Sequence, residues 1–374
     1  MLGTVLFSAN RGFALRNSRE QMIRHFLSLN WRVVLATADD VECRRLEKLG
    51  AHREHVLFYR RGVSPNRDAR AYRAMGRLCR KWQPDLIQQF HAKPVVLGTI
   101  AARRTLGASV RIVNTLTGLG RARSVGRWST TAAEIGFRAS LSHGDATVFQ
   151  NPDDQAFCLE KKWVAPNATR LIAGSGVDLN RFHVVDRAER PPAEPVVVMI
   201  ARLLKSKGLA EFGAVAHRIR TRWPAARFLL AGEPDLDHPD SVAESWLRQL
   251  PDIEYLGHLP DVVPLLHTAD IFLYPSVYRE GVPRVVMEAA ATGLPTVAFD
   301  VPGVREAVQN NTTGLLVALG DLDGLTSAVS QLIMDVSRRR SLGSAARTLA
   351  DETFDSRSIQ QRYLALYRSL GVPA

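Results

Sequence analysis

The sequence predicts an α/β protein of two doubly wound domains, each built on a parallel sheet. Three observations carry that expectation. Short β-branched apolar runs alternate with longer amphipathic segments from one end to the other. A proline-rich interruption divides the alternation into two series. The composition, 46% apolar and 23% charged over 374 residues, belongs to a core-forming chain of about two domains.

In the first series the runs are VLFSA, WRVVLAT, EHVLFY, DLIQQF, RIVNT, ATVFQ and TRLIAG. Parallel strands covered by helices on both faces read in this way. The segment after the first run is helical by pattern: Ser18 is placed to cap it, Met22, Ile23, Phe26, Leu27 and Leu29 form one stripe, and Asn30 ends it. At 186–196 the stretch DRAERPPAEPV breaks the alternation, which places the boundary between a domain at 1–185 and one at 186–356. The second series is VVVMIA, RFLLAG, IEYLG, IFLYPS, TVAFD and GLLVAL. The last pattern, SRSIQQRYLALYRSL, has no strand after it; it is expected to pack on the nearest domain, with a return of 357–374 to the first as one course. Two such sheets would present the carboxyl ends of their strands to a shared cleft, the edge at which open α/β sheets bind ligands.

Charge is unevenly distributed. Residues 1–190 hold 31 Lys and Arg against 16 Asp and Glu, a balance of +15, while 191–374 hold 18 against 21, a balance of −3. An anionic partner for the first half follows, or simply a solvated basic face. The arginines are scattered without interleaved aromatics, which disfavours nucleic acid. Cys43, Cys79 and Cys158 are too few and too far apart for a disulfide framework or a thiolate metal site, so a reducing compartment is expected. MLGTVLFSANRGFALR lacks the basic and apolar regions of a cleaved leader, and no stretch reaches the roughly 18 apolar residues of a membrane span.

The nucleotide-binding devices are unusual. There is no G-x-x-x-x-G-K-[ST] loop, and neither Gly118-Leu119-Gly120 nor Gly174-Ser175-Gly176 continues into a G-x-G-x-x-G fingerprint. Instead, ARLLKSKG (Ala201 to Gly208) follows the first strand of the second half and opens a helix. An arginine fork and lysine ammonium groups at a helix start suit a pyrophosphate, the alternative being a solvated basic loop. After IFLYPS comes EGVPRVVME, with Pro283 apt for a first helical turn and Gly293 for the helix end. Glu280 then falls in the loop and Glu288 on the helix, where two carboxylates can accept from sugar hydroxyls. Flanked by Val285, Val286, Met287, Ala289 and Ala290, Glu288 is expected to be buried.

Together, Arg202 with Lys207-Gly208 five residues on, the Glu280/Glu288 pair inside REGVPRVVMEAAATGLPTVAFDVPGVRE, and GSGVD at Gly174 to Asp178 resemble the retaining glycosyltransferases of family four. The resemblance implies the GT-B fold of two facing Rossmann-like domains. It implies that Arg202 and Lys207 hold the donor diphosphate, Glu280 faces the donor hexose and Glu288 holds the nucleotide ribose, with backbone donors around Gly281, Val282, Pro283 and Arg284 assisting. The first half is similar to bacterial enzymes that build capsule, exopolysaccharide or O-antigen repeats on a polyprenyl diphosphate carrier, through FHAKP (Phe90 to Pro94), NTLTGLGR (Asn114 to Arg121) and VFQNPDD (Val148 to Asp154). Gln88 and Gln89 stand where that group often has histidine, and His91 where it has a hydroxyl residue.

On the acceptor side, Asn10, Arg11, Gly12 and Arg19, with His91, Lys93, Thr117 and Gly118, are the candidate contacts. A turn and helix cap for the first group, and a hydrogen-bonded structural histidine for His91, are the competing readings. Asp235-Leu236-Asp237 and Asp321-Leu322-Asp323 read as a turn and a helix cap, so no essential metal and no bound cofactor are expected. The resemblance further implies retention of configuration by front-face attack, the donor phosphate oxygen taking the proton. The partners it implies are a nucleotide sugar, a UDP-sugar foremost, a polyprenyl-diphosphate-linked glycan and the anionic cytoplasmic face of a membrane, with no nucleic acid. Arg60, Arg61, Arg67, Arg70, Arg73, Arg77, Arg103 and Arg104 are the expected membrane contacts. The competing functions are a nucleotide-sugar epimerase of the same fold and a basic nucleic-acid-binding protein.

Overall fold

The computed structural model describes residues 1–59, 62–119, 127–186, 194–236 and 238–374, with backbone alone for 127–131. Arg60, Arg61, Gly120, Arg121, Asp237 and residues 187–193 of the proline-rich stretch lie outside the described residues. The chain divides into two units, Met1–Ser175 with Arg357–Ala374, and Gly176–Ser356.

In the first unit, β1 (Thr4–Arg11) runs directly into α1 (Gly12–Ser28), followed by β2 (Arg32–Ala38), α2 (Val41–Glu47), β3 (His52–His55) and α3 (Pro65–Trp82). Then come β4 (Leu86–Phe90), α4 (Thr99–Leu106), β5 (Arg111–Leu116), α5 (Arg127–Leu141), β6 (Ala146–Phe149), α6 (Pro152–Glu160) and β7 (Thr169–Leu171). The strands pair in parallel in the order β3-β2-β1-β4-β5-β6-β7. Chain direction across the sheet reverses between β1 and β4, the position at whose carboxyl edge open α/β sheets bind ligands.

One apolar cluster joins Phe7, Met22, Ile23, Phe26 and Trp31 to Tyr363 and Tyr367 of the final helix. A second, on the other face, joins Leu6, Val34 and Ile87 to Met75, Leu78 and Cys79 of α3. Two sequence expectations are corrected. α1 starts at Gly12, six residues before Ser18, because β1 leads into it without a side-chain cap. The EHVLFY run is strand only as far as His55; Val56 and Phe58 are buried outside it, against α3. Asn30 does end α1, in the left-handed region at φ 59°.

Of the cations singled out, those of α3 lie on its open face. Arg70, Arg73, Arg77 and also Arg80, which the sequence reading left out, are exposed at helical spacing, whereas Arg67 lies over the Tyr59 ring at 4.1 Å. Arg103 turns inward: it donates to the carbonyls of His143, Gly107 and Val110 and pairs with Asp145. Arg104 is exposed.

The second unit contains β8 (Val196–Ile200), α7 (Leu209–Arg222), β9 (Arg227–Ala231), β10 (Glu254–Tyr255), α8 (Val263–Thr268), β11 (Ile271–Tyr274) and α9 (Arg284–Ala291). It continues with β12 (Thr296–Phe299), β13 (Gly314–Val317), α10 (Leu322–Met334) and α11 (Val336–Leu349). α12 (Ser356–Ser369) carries the chain back to the first unit. The parallel order β10-β9-β8-β11-β12-β13 repeats the plan of the first sheet, with its reversal between β8 and β11.

At that reversal two loops touch backbone to backbone. Gly208, at φ 83°, caps α7 where a Cβ would stand 2.0 Å from the Pro275 carbonyl oxygen. Only glycine satisfies both the left-handed conformation and the contact. Gly208→Ala is therefore expected to lower stability by about 2 kcal/mol, or about 4–8 °C in Tm, measured by thermal unfolding.

Candidate functional site

The second sheet gathers its charged groups at the reversal between β8 and β11. Arg202 leaves the carboxyl end of β8, and Lys205–Lys207 form a single tight turn before Gly208 and α7. The loop after β9 braces this segment: Leu203 N donates to Glu233 O at 2.9 Å, Lys205 N to Asp240 O at 3.0 Å and Val242 N to Leu203 O at 2.8 Å. Within that loop Asp235 is buried, and its Oδ2 accepts from Arg202 Nη1 at 2.5 Å. Asp235 is thus more than the turn residue the sequence reading made it, since it fixes a guanidinium that is itself half-open to solvent. Asp321 caps α10 as expected, accepting from Gly324 N at 2.8 Å.

Lys207 is buried under two rings, its Nζ 5.4 Å from the centroids of both Tyr274 and Tyr278. Nζ donates to Tyr274 Oη at 2.8 Å and forms an ion pair with Glu280 from the loop after β11. Burial, and then the Arg202 guanidinium, hold the Lys207 pKa well below the ordinary lysine value. Arg202 and Lys207 are thus set together at the reversal between β8 and β11, each held by a loop carboxylate, Asp235 and Glu280.

From Glu280 the chain passes through buried Gly281, Val282 and Pro283 into α9. Pro283 takes the N-cap position, one residue before the helix, and neither a side-chain cap nor an acidic residue occupies the first turn. The first turn itself therefore supplies no negative charge to the positive end of the helix dipole. Gly303, at φ 88°, lets the loop after β12 approach Gly281, where a Cβ would stand 1.8 Å from its carbonyl oxygen. Glu288, one turn into α9, is buried as expected and accepts from Arg284 Nε at 2.7 Å. Burial raises its pKa above the usual carboxylate value, opposed by the Arg284 charge. Arg284, expected to act through its backbone, also orients Glu288 through its side chain.

The loops of the first unit carry the remaining candidates. Arg11 is exposed at the end of β1. Gly12 starts α1 where a Cβ would stand 2.4 Å from Asp40 Oδ1, the carboxylate that caps α2 and accepts from Phe13 N. Arg19 is buried, over the rings of Phe90 and Tyr363. His91 follows β4 at φ 70°, a conformation that a histidine adopts under constraint. Lys93 donates to Asp68 of α3 at 2.5 Å. Thr117 and Gly118 follow β5, and the next residue, Leu119, donates its N–H to Asp154 at 3.2 Å, so NTLTGLGR and VFQNPDD meet. Gln88 and Gln89 are fully buried. Among the described residues there is no group of three His, Cys, Asp or Glu side chains suited to a metal ion, and no helix long and apolar enough to cross a membrane.

Sequence reasoning missed Asp235, Tyr274 and Tyr278. A tyrosine ending the otherwise aliphatic IFLYPS strand was the one available signal; nothing in the sequence tied Asp235 to Arg202.

Residues 15–174 match the family model described as "Glycosyl transferase 4-like domain", and residues 194–335 match "Glycosyl transferases group 1". The chain is 31% identical over 241 residues to the N,N'-diacetylbacillosaminyl-diphospho-undecaprenol alpha-1,3-N-acetylgalactosaminyltransferase of Campylobacter jejuni; the match spans 62% of this chain and 62% of that relative, under two thirds of its length. It is 24% identical to the UDP-Gal:alpha-D-GlcNAc-diphosphoundecaprenol alpha-1,3-galactosyltransferase of Escherichia coli, over 74% of this chain and 73% of the relative. In fold it is similar to the sucrose-phosphate synthase of Thermosynechococcus elongatus, with a TM-score of 0.81 at 21% identity over 100% of both chains. The chain belongs to the glycosyl transferases, a 4-like domain followed by a group 1 domain, with the two parallel-sheet α/β domains of the GT-B fold.

Proposed function

We propose that this protein is a retaining glycosyltransferase, a hexosyltransferase that moves a hexose or N-acetylhexosamine from a nucleoside diphosphate sugar, a UDP-sugar foremost, to a lipid-diphosphate-linked glycan in bacterial surface polysaccharide synthesis. The observation that carries the reading is the convergence of Arg202, Lys207, Glu280 and the uncapped start of α9 at the strand reversal of the second sheet. As the bond from sugar C1 to the diphosphate breaks, negative charge grows on the leaving group. Arg202, Lys207 and the amides around Gly281–Arg284 meet it with charges already fixed in place, so no protein-bound metal is required for that task. Glu288 accepts from the ribose hydroxyls, and Glu280 faces the sugar. The acceptor hydroxyl attacks from the face the diphosphate leaves, and a donor phosphate oxygen takes its proton.

The names of the two relatives support the acceptor class, since both describe undecaprenol diphosphate-linked substrates, and the Escherichia coli one names UDP-Gal as donor. The face of α3 supports action at an anionic cytoplasmic membrane face. Its Arg70, Arg73, Arg77 and Arg80 have no ion pair among the described residues, and Leu57 and Val63 stand exposed in the segment between β3 and α3. An exposed row of cations on one helix suits an anionic bilayer surface.

A donor screen that measures released nucleoside diphosphate, run with a lipid-diphosphate acceptor with and without chelator, tests the proposal. Transfer that survives the chelator is expected; a product without a new glycosidic bond would shift the reading to an epimerase. In the same assay Arg202→Ala and Lys207→Ala are each expected to lower kcat/KM by about 2–4 kcal/mol of transition-state stabilisation. Glu288→Ala is expected to weaken UDP binding measured by calorimetry, while Glu280→Ala lowers kcat more than it weakens binding. Sedimentation with vesicles should rise with anionic lipid and fall with salt, and Arg70→Gln/Arg73→Gln/Arg77→Gln should abolish that dependence.

A further inference from the structure

Three cations of α1 are treated differently by the fold. Arg16 pairs with Glu20 and Glu42, and Arg24 pairs with Glu20. Arg19, between them on the buried side, is 4% exposed and forms no ion pair among the described residues. Its guanidinium carbon lies 4.6 Å from the ring centroid of Phe90 and 4.9 Å from that of Tyr363, and its polar contact is a 3.5 Å approach of Nη2 to Tyr363 Oη. Rings steady a guanidinium through its π surface and supply no in-plane acceptor for its N–H fork. A charge kept this far from water without an anion is a poor structural device, and a good receptor for an oxyanion that arrives later.

Its position agrees. Phe90 is the last residue of β4, one past the final pair of that strand with β1, Ser8 with Gln89, and Asn10 lies two residues past that pair on β1. Asn10 Oδ1 is buried and has no hydrogen-bond partner among the described residues. Among the described residues, the strand reversal of the first sheet therefore holds a cation without an anion and an acceptor without a donor. A phosphorylated sugar supplies both, with phosphate oxygens for the fork and a hydroxyl for the amide oxygen.

The ring over Arg19 is itself keyed into the sheet. Tyr363 Oη lies 3.2 Å from Thr115 Oγ1, Gln88 Nε2 donates to Thr115 Oγ1 at 3.0 Å, and Tyr367 Oη donates to Gln88 Oε1 at 2.7 Å. The geometry points to Arg19 as the receptor for the phosphate groups of the lipid-linked acceptor, with Tyr363 of α12 as its positioning residue. This rests on the lipid-diphosphate reading of the acceptor.

The test measures direct binding, without turnover, of a glycan on a short-chain prenyl diphosphate and of the same glycan on a prenyl monophosphate, to the full chain. The wild type is expected to bind the diphosphate form about 10–100-fold more tightly, the range of charge-assisted hydrogen bonds. Arg19→Gln should lose that preference while its UDP affinity stays unchanged. Tyr363→Phe, which keeps the ring, should retain the preference, and Tyr363→Leu should reduce it. Should Arg19→Gln fail to fold, Arg19→Lys decides, since it keeps the charge without the fork and must narrow the preference. A preference that persists in the Arg19 variant overturns the assignment. So does a drop in sedimentation of Arg19→Gln with acceptor-free phosphatidylglycerol vesicles, which would give the guanidinium to lipid headgroups. Failure of the wild type to transfer sugar from any donor would count against the enzyme reading alone, because the binding comparison does not depend on turnover.

Discussion

A parallel sheet must be covered on both faces, and a chain of right-handed crossovers achieves this only by winding first one way and then the other from its initial strand. That constraint sets where everything else lies. In both units the reversal falls between the first and fourth strands, β1 and β4 in one, β8 and β11 in the other. The loops leaving these strands are directed to opposite faces of the sheet, so backbone amides, helix starts and loop side chains are brought to an edge that no crossover fills. The cations of the second unit and the acceptor-side candidates of the first are therefore consequences of one topological rule applied twice.

What the sequence disclosed, and what it withheld, follows from the range of the forces involved. Strands such as VVVMI and RFLLA were legible because burial on both faces demands continuous apolar runs, a purely local signature. EHVLFY misled because Val56 and Phe58 are also buried, under α3 rather than in the sheet, and apolar content does not distinguish the two. The start of α1 was hidden because its first turn has no capping side chain to mark it. Arg202, Lys207, Glu280 and Glu288 could be picked out because loop cations and a spaced carboxylate pair are visible in a string of letters. Their partners could not. Asp235 reaches Arg202, and Tyr274 reaches Lys207, only because the loop after β9 and the end of β11 flank β8, which is a property of strand order.

The two units handle buried charge in contrasting ways. In the second, each buried ionisable group of the site has a partner of opposite sign: Lys207 with Glu280, Glu288 with Arg284 and Asp235 with Arg202. Such pairs keep the side chains aligned in the empty protein at modest net energy, since the desolvation of both members offsets most of their attraction. In the first, Arg19 lies against the aromatic faces of Phe90 and Tyr363 instead.

Because Arg357–Ala374 belong to the first unit, that unit is discontinuous in sequence. Tyr363 and Tyr367 complete the cluster around Phe26 and Met22, yet the ribosome makes them only after the whole of Gly176–Ser356. At about 5–20 residues per second the intervening stretch takes on the order of 10–40 s. Throughout that interval the nascent first unit presents an open apolar face on α1, and Gln88 Oε1 waits for the Tyr367 hydroxyl. The second unit, contiguous in sequence, has no such delay. Synthesis order and folding order are thus inverted for this chain: the unit made first is the one finished last, and it is the nascent species that most needs protection from aggregation.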